Sequence, residues 1–316
     1  MQEIQEFGER VQAEVGRVVV GLEDSVQACL IGALAGGHVL LEGAPGVAKT
    51  LLVRSLAAAL GGSYGRVQFT PDLMPSDVAG TSVFRPDKAS FEFRPGPIFV
   101  QVLLCDEINR APAKTQAALL EAMQEGSVTV DGTAHVLPRP FRVFATMNPI
   151  EHEGTYPLPE AQLDRFLFKV NVGYPEPEVE QRILASAHAL PPDAAPEELG
   201  VVAVSSPEEL VRLTERVRTV TVRDDLPGYV VRLLNATRES ASLVLGGSPR
   251  AGVMLLRAAK ARAALEGRDF VTPDDLKALF CMALRHRVIL DPGEEIEGAN
   301  VDRVLRRLAD SVEVPR

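Results

Sequence analysis

The chain has 316 residues, 46% of them hydrophobic and 24% charged, the proportions of an ordinary folded protein of about two domains. Its formal charge of −10 argues against a general affinity for nucleic acid, whose phosphates are held by clustered Lys and Arg. No apolar run reaches the roughly 18–20 residues that span a bilayer, and the opening MQEIQEFGER lacks the basic start and apolar centre of a secretory signal, so a cytoplasmic protein is expected.

Apolar runs at residues 38–43, 66–70, 98–107, 141–148 and 167–172 read as buried strands. Helical stretches lie between them, notably KTLLVRSLAAALGG and AKTQAALLEAMQEG, and this alternation predicts an α/β fold with a parallel sheet. In the second stretch Ala117, Leu120, Ala122 and Met123 fall near helical spacing, and Gly126 is a natural stop. Two insertions read as hairpins. TSVFRPDKASFEF turns through Arg85-Pro86-Asp87-Lys88, and VTVDGTAHV turns at Asp131-Gly132, the strongest two-residue hairpin signal. Such interruptions are candidate tools for touching a partner.

After VGYPEPE (172–178) strands become scarce. Ser206-Pro207, Ser248-Pro249 and Thr272-Pro273 each place a hydroxyl N-cap before proline at the first helical position, and two of the three add acids in the first turn. Residues 176–316 are therefore expected to form a small all-α domain behind an α/β domain of residues 1–175, with ALPPDAAPEELG (189–200) as a surface loop. Cys29, Cys105 and Cys281 are widely spaced in apolar contexts, as buried free thiols would be, and no Cys/His cluster has metal-ligand spacing.

The chemistry is concentrated at strand ends. HVLLEGAPGVAKT sets Gly43-Ala44-Pro45-Gly46-Val47-Ala48-Lys49-Thr50 between a strand and a helix, the context of a phosphate-binding P-loop, with a chance glycine-rich turn as the alternative. Glycines let backbone N–H groups turn onto phosphates, Lys49 reaches the β- and γ-phosphates, and Thr50 can ligate Mg²⁺. Ala48 stands where the pattern asks for glycine; its place beside the helix predicts a negative φ, which alanine accepts. VQVLLCDEINRAP ends an apolar run in Asp106-Glu107, a costly place for two acids unless they face a cation or a polar site. Asp106 is the candidate Mg²⁺ ligand and Glu107 the candidate that polarises the attacking water. In VFATMNP, Asn148 could bond both the γ-phosphate and that water. Arg165, in LPEAQLDRFLF, is either a surface ion pair or a finger reaching a neighbouring subunit. Arg250 sits in a first helical turn, where the dipole disfavours a cation, which points to an anion nearby and to bound phosphate first.

Together these motifs resemble the AAA+ ATPases, and most closely the MoxR family, from VVVGLEDSVQACLIGALAGGHVLLEGAPGVAKT through QFTPDLMPSDVAG, FRPGPIF and LLCDEINRAPAKTQAALLEAMQEG to ATMNPIEHEGTYPLPEAQLDRF and GSPRA. The resemblance covers residues 18 to 290. It implies an AAA+ P-loop core with hairpin insertions and a helical lid. Gly43 to Thr50 then match Walker A, with Leu51 beside them, Asp106 and Glu107 Walker B, Asn148 sensor 1, Arg165 the arginine finger and Arg250 sensor 2. Arg110, Arg139 and Arg142 lie near Arg165 and could share or take its role. Val20 and Gly21 fall where the family contacts adenine, and the hairpins match its helix-2 insert and pre-sensor-1 hairpin. The family also commonly has alanine before the lysine. ATP or ADP with Mg²⁺, a hexameric ring of identical chains and a separate partner bearing a von Willebrand factor A domain are what the resemblance implies. An ATP-hydrolysing, chaperone-like ATPase that remodels a client or partner protein (in assembly, maturation or metal insertion) is the function the resemblance implies. A nucleotide-dependent switch with little turnover and a DNA-acting motor are the other readings.

Overall fold

In the computed structural model, which describes residues 1–149, 156–187 and 194–315, five strands form one parallel sheet. The strands are β1 (Val39–Glu42), β2 (Tyr64–Gln68), β3 (Gly80–Arg85), β4 (Ser90–Pro95), β5 (Val102–Asp106), β6 (Ser127–Val130), β7 (Thr133–Val136), β8 (Arg142–Met147), β9 (Phe168–Asn171), β10 (Leu243–Leu245) and β11 (Ile289–Leu290). The sheet order is β2-β5-β8-β1-β9, every pairing in it parallel, while β3–β4 and β6–β7 are the two antiparallel hairpins. The five runs read from the sequence supply these five strands. The run from residue 98 pairs only from 102, because residues 98–101 turn first, Phe99 donating to the Gly96 carbonyl at 3.2 Å.

The helices of the first part are α1 (Gln2–Gly16), α2 (Glu23–Leu34), α3 (Lys49–Leu60), α4 (Pro75–Ala79), α5 (Ala113–Glu125) and α6 (Glu160–Leu163). Side chains alternate across the sheet. Val39, Leu41, Val102, Leu104 and Phe144 join one core with helices α1 to α3, whereas Leu40, Leu103, Cys105, Val143 and Ala145 join a second with α5. Strands buried on both faces read as unbroken apolar runs, which is why the sequence shows no polar alternation there.

After α7 (Pro177–Ala187) come α8 (Pro207–Arg218), α9 (Asp225–Glu239), α10 (Pro249–Leu265), α11 (Pro273–Leu284), α12 (Pro292–Ile296) and α13 (Val301–Ser311). The three proline-marked starts hold. Ser206 accepts from Glu209 N at 3.2 Å and Ser248 from Ala251 N at 3.2 Å. Thr272 accepts from Asp275 N at 3.4 Å, and the Asp275 carboxylate accepts from Thr272 N at 2.8 Å. This region also carries the short antiparallel pair β10–β11. Residues 150–155 of the resemblance and 189–193 of the surface loop lie outside the described residues.

Helices α10 and α11 share the first core with α1 and the sheet. One buried arginine fastens them to the edge strand. Arg287, its side chain 2% exposed, donates to Asp164 Oδ1 at 2.7 Å, to the Asp164 carbonyl at 3.0 Å and to the Leu167 carbonyl at 3.2 Å, and also to the carbonyls of Phe166 and Ala283. The approach to β9 thus hangs on the end of α11.

Candidate active site

The carboxyl ends of β1, β2, β5 and β8 converge on one cleft of roughly 410 Å³, lined among others by residues 45–51, Arg66, Gln68, Asp106, Glu107 and Asn148. This is where the connection order of an open parallel sheet leaves room for a ligand. Gly43 N donates to the Met147 carbonyl at 3.2 Å, tying the loop to the end of β8. Glycine is required at 43 for packing: a Cβ would stand 2.2 Å from the Val172 carbonyl oxygen. Gly46 has φ 84°, and nothing lies within 4 Å of where its Cβ would be, so this turn is open on its ligand side. Val47 is buried in the core, Ala44 and Leu51 pack against it, and Pro45, Gly46 and Ala48 are exposed.

Ala48 corrects the expectation from sequence. Its φ is +58° and ψ 22°, the left-handed region, not the negative φ expected beside a helix. The loop needs one further left-handed step before α3 can begin, and glycine in the usual pattern meets that need without a Cβ penalty. Alanine is therefore carried here at a cost rather than fitted.

Lys49 Nζ donates to the carbonyls of Gly43 at 2.6 Å and Ala44 at 2.7 Å, closing the loop on itself. Burial holds its pKa below the ordinary lysine value, and Asp106 and Glu107 oppose that shift. Thr50 Oγ1 lies 3.2 and 3.3 Å from the two oxygens of Asp106. A hydroxyl beside a carboxylate, with open space before them, is an oxygen donor set of the kind hard divalent cations take. Asp106 is also held by Arg66 Nε at 2.7 Å and Thr146 Oγ1 at 3.1 Å.

Adjacent residues of a straight strand point to opposite faces. Glu107 avoids this with φ 55°, a left-handed turn that brings both carboxylates into one cleft. Such a conformation costs a non-glycine residue about 1–3 kcal/mol and is kept where the surroundings over-determine it. Here Glu107 N donates to Thr146 Oγ1 at 2.9 Å, while its Oε2 accepts from Gln68 at 2.8 Å and Arg110 at 3.0 Å. Asn148 is buried, at 5% exposure, on the same wall. Arg66, Gln68 and Thr146 were not singled out from the sequence. Their signal is a polar residue every second position near a strand end, visible only once the sheet order is known.

Four sequence candidates lie elsewhere. Gly21 has φ 80° and sits against Pro175 and Val179 at the start of α7, where a Cβ would stand 2.4 Å from Val179 Cγ1; neighbouring Val20 is half-buried. Arg165 donates to the Leu120 carbonyl on α5. Arg250 Nε lies 3.6 Å from Asp164 Oδ2, so the anion beside this helix start is a carboxylate. Asp164 and Arg165 precede β9, whereas the phosphate loop follows its partner β1, which puts the four-residue strand, on the order of 13 Å, between them. Arg250 and Arg165 are thus neighbours at the amino end of the sheet. Of the other arginines, Arg110 is engaged with Glu107, Arg142 is buried and Arg139 is exposed.

Among the described residues no group of three or more His, Cys, Asp or Glu could hold a metal, and no helix is long and apolar enough to cross a membrane. Cys29 and Cys105 are buried and Cys281 partly so, all three as free thiols.

Residues 38–168 match the family model described as ATPase family associated with various cellular activities (AAA), and residues 235–308 match the AAA lid domain. The chain is 46% identical over 301 residues to YeaC of Bacillus subtilis, itself uncharacterised, covering 95% of this chain and 92% of that one. It is 44% identical over 317 residues to Chaperone MoxR1 of Mycobacterium tuberculosis, covering 98% of this chain and 82% of that one. A solved structure from Cytophaga hutchinsonii, assigned as an ATPase, superposes with a TM-score of 0.90 at 38% identity, over 100% of this chain and 97% of that one. The chain belongs to the MoxR family of AAA+ ATPases.

Proposed function

We propose that this ATPase is a ring-forming, chaperone-like machine that couples hydrolysis in the cleft to remodelling of a client protein. The observation that carries the reading is the convergence of Lys49, Thr50, Asp106, Glu107 and Asn148 on one open cleft behind a glycine turn. In this reading Gly43 to Thr50 present backbone N–H groups to the phosphates, and Lys49 exchanges its two loop carbonyls for phosphate oxygens. Thr50 and Asp106 hold Mg²⁺, whose charge offsets that on the phosphate oxygens. Glu107 orients a water on the γ-phosphorus and takes up its proton as the bond to the bridging oxygen breaks, releasing ADP and phosphate. Gln68 and Arg110 keep that carboxylate aimed. Asn148 holds the water and a γ-oxygen together, and Val20 and Gly21 flank the adenine.

Arg165 and Arg250 act on a neighbouring subunit's ATP. Their shared position around Asp164, a strand's length from their own loop, supports that role. A heterologous ring, six subunits by family resemblance, supplies such a neighbour. The chain divides near residue 175, with residues 1–175 binding nucleotide and 176–316 forming the lid; the protein works in the cytoplasm. The hairpins meet the client or a separate partner with a von Willebrand factor A domain. Phe91 and Val136, 73% and 71% exposed on the two hairpins, give them an apolar surface to offer.

The test is complementation. Glu107→Gln and Arg165→Ala proteins are each expected to be nearly inactive. Mixed in equal amounts they regain turnover, because about one quarter of randomly assembled ring interfaces pair an intact Glu107 with an intact Arg165. A mixture as inactive as its parts refutes the trans assignment of Arg165.

A further inference from the structure

A second cleft, again of roughly 410 Å³, opens at the amino end of the sheet, where Gly36 leads into β1, Arg142 begins β8, and α8 closes over both. It lies at the other end of β1 from the phosphate loop. Arg142 is 8% exposed and has no carboxylate partner among the described residues. Its Nε donates to the Ala33 carbonyl at 2.9 Å and its Nη1 to that of Phe141 at 3.0 Å, which leaves Nη2 without a bond. Arg257 comes from α10 to donate through Nη2 to the Ala35 carbonyl at 3.0 Å. The Ala33 and Ala35 carbonyls belong to the end of α2, whose dipole accounts for one nearby cation more readily than for two.

The guanidiniums converge on one point. A Cβ built on Gly36 would stand 3.2 Å from Arg257 Nη2 and 3.7 Å from Arg142 Nη2, with Thr214 Cγ2 at 4.0 Å. Gly36 leaves that space open. Thr214 is buried on α8, and its hydroxyl has no hydrogen-bond partner among the described residues, not even the carbonyl one turn back that a helical threonine ordinarily uses. Arg218 stands at the mouth, 3.4 Å from Glu215, and Glu125 is the other acid on the rim. Mutual repulsion with Arg257 and Arg218, after burial, brings the Arg142 pKa down to about 10, which still leaves it charged at neutral pH. A buried cation with a free N–H pair beside an orphaned hydroxyl is an expensive arrangement unless an anion completes it.

We propose that this cleft is an anion site, taking a phosphate-class oxyanion whose oxygens accept from Arg142, Arg257 and, after the χ1 turn that puts its hydroxyl where Cγ2 now faces the guanidiniums, Thr214. Charge-assisted bonds to guanidinium are the strong kind. Once bound, the anion fastens α8 and α10 to α2 and β8, so its occupancy stiffens the helical region against the sheet.

The experiment titrates inorganic phosphate calorimetrically into full-length Lys49→Ala protein, in which the phosphate loop has lost its grip. One site per chain is expected to remain. Adding Thr214→Val or Arg142→Gln to that background weakens it at least tenfold, while Thr214→Val alone melts no lower than its parent without phosphate. Thr214→Val keeps the test decisive should Arg142→Gln not fold. Phenyl phosphate in parallel separates two sources of the group: binding as tight as phosphate points to a phosphoryl group on a larger molecule, and exclusion of the ester to the free anion. Either result supports the site. Phosphate binding that vanishes in Lys49→Ala, is unchanged by Thr214→Val, or is undetectable into the tens of millimolar overturns the proposal.

Discussion

Replacing Arg287 by methionine removes the bond between the sheet's edge and the helical region while keeping most of the volume. The side chain is 2% exposed and shares a charge-assisted bond with Asp164 Oδ1 at 2.7 Å. Burial pulls the Arg287 pKa down from its ordinary value and Asp164 pushes it back up. Losing one partner of a buried pair costs about 3–5 kcal/mol. The Asp164 side chain is 25% exposed and the Phe166 carbonyl keeps His286 Nε2 at 3.0 Å, which favour the lower end, whereas the Leu167 carbonyl loses its arginine and favours the upper end. A loss near 4 kcal/mol corresponds to a fall of about 6 °C in Tm for a chain of this size. Urea unfolding followed by circular dichroism measures it. Arg287→Lys keeps the charge but not the planar fork, and is expected to recover less than half of the loss. Turnover in Arg287→Met should fall too, since Asp164 carries Arg165 and holds Arg250. Stability within about 1 kcal/mol of the parent would refute the pinning role.

The left-handed φ at Ala48 sets an order among variants. Ala48→Gly should gain up to about 1 kcal/mol, since relief of the Cβ penalty exceeds the extra freedom glycine has when unfolded; Ala48→Val should lose at least about 1 kcal/mol. Equal melting of all three would mean the residue has negative φ after all. Gly43→Ala drives a Cβ to 2.2 Å from the Val172 carbonyl oxygen, and is expected to cost about 1–3 kcal/mol and to weaken ATP binding measured by calorimetry. His38 is buried, accepting from Val143 N at 3.0 Å while Nε2 lies 3.1 Å from the Met123 carbonyl. Burial first, then Arg142, brings its pKa down to about 4. Its folded pKa lies below the unfolded one, so its contribution is full above about pH 6.5 and is lost as pH falls toward 4, at most about 3 kcal/mol. His286, also buried, is shifted the same way. His38→Gln should flatten this acid limb in pH-dependent urea titrations, and an unchanged slope would contradict the burial of the neutral ring.

The sheet was legible because its strands are buried on both faces and so appear as plain apolar runs ended by Gly43, Asp106-Glu107 and Asn148. The Ser-Pro and Thr-Pro starts were legible because capping is local. Helix α1 was passed over as a polar opening, although Ile4, Phe7, Val11 and Val15 recur at helical spacing and all four are buried. The φ of Ala48 was misjudged because the turn it completes is set by the return of the loop to Met147 and Val172, far away in sequence. Arg66, Gln68 and Thr146 gain meaning only from strand order, and Arg287 only from the meeting of α11 with β9. The first-turn place of Arg250 pointed to an anion, with bound phosphate first, and the structure sets a carboxylate beside it. Which anion, Asp164, is a matter of how the helical region seats on the sheet.

The most direct measurement is ATP binding and turnover in Glu107→Gln, on the same preparation. The carboxylate's place in the cleft, held by Gln68 and Arg110, requires that the neutral amide keep ATP affinity within about threefold while turnover falls by at least about a hundredfold, the order of a lost general base. Hydrolysis at the parent rate, or loss of ATP binding together with turnover, would contradict the account.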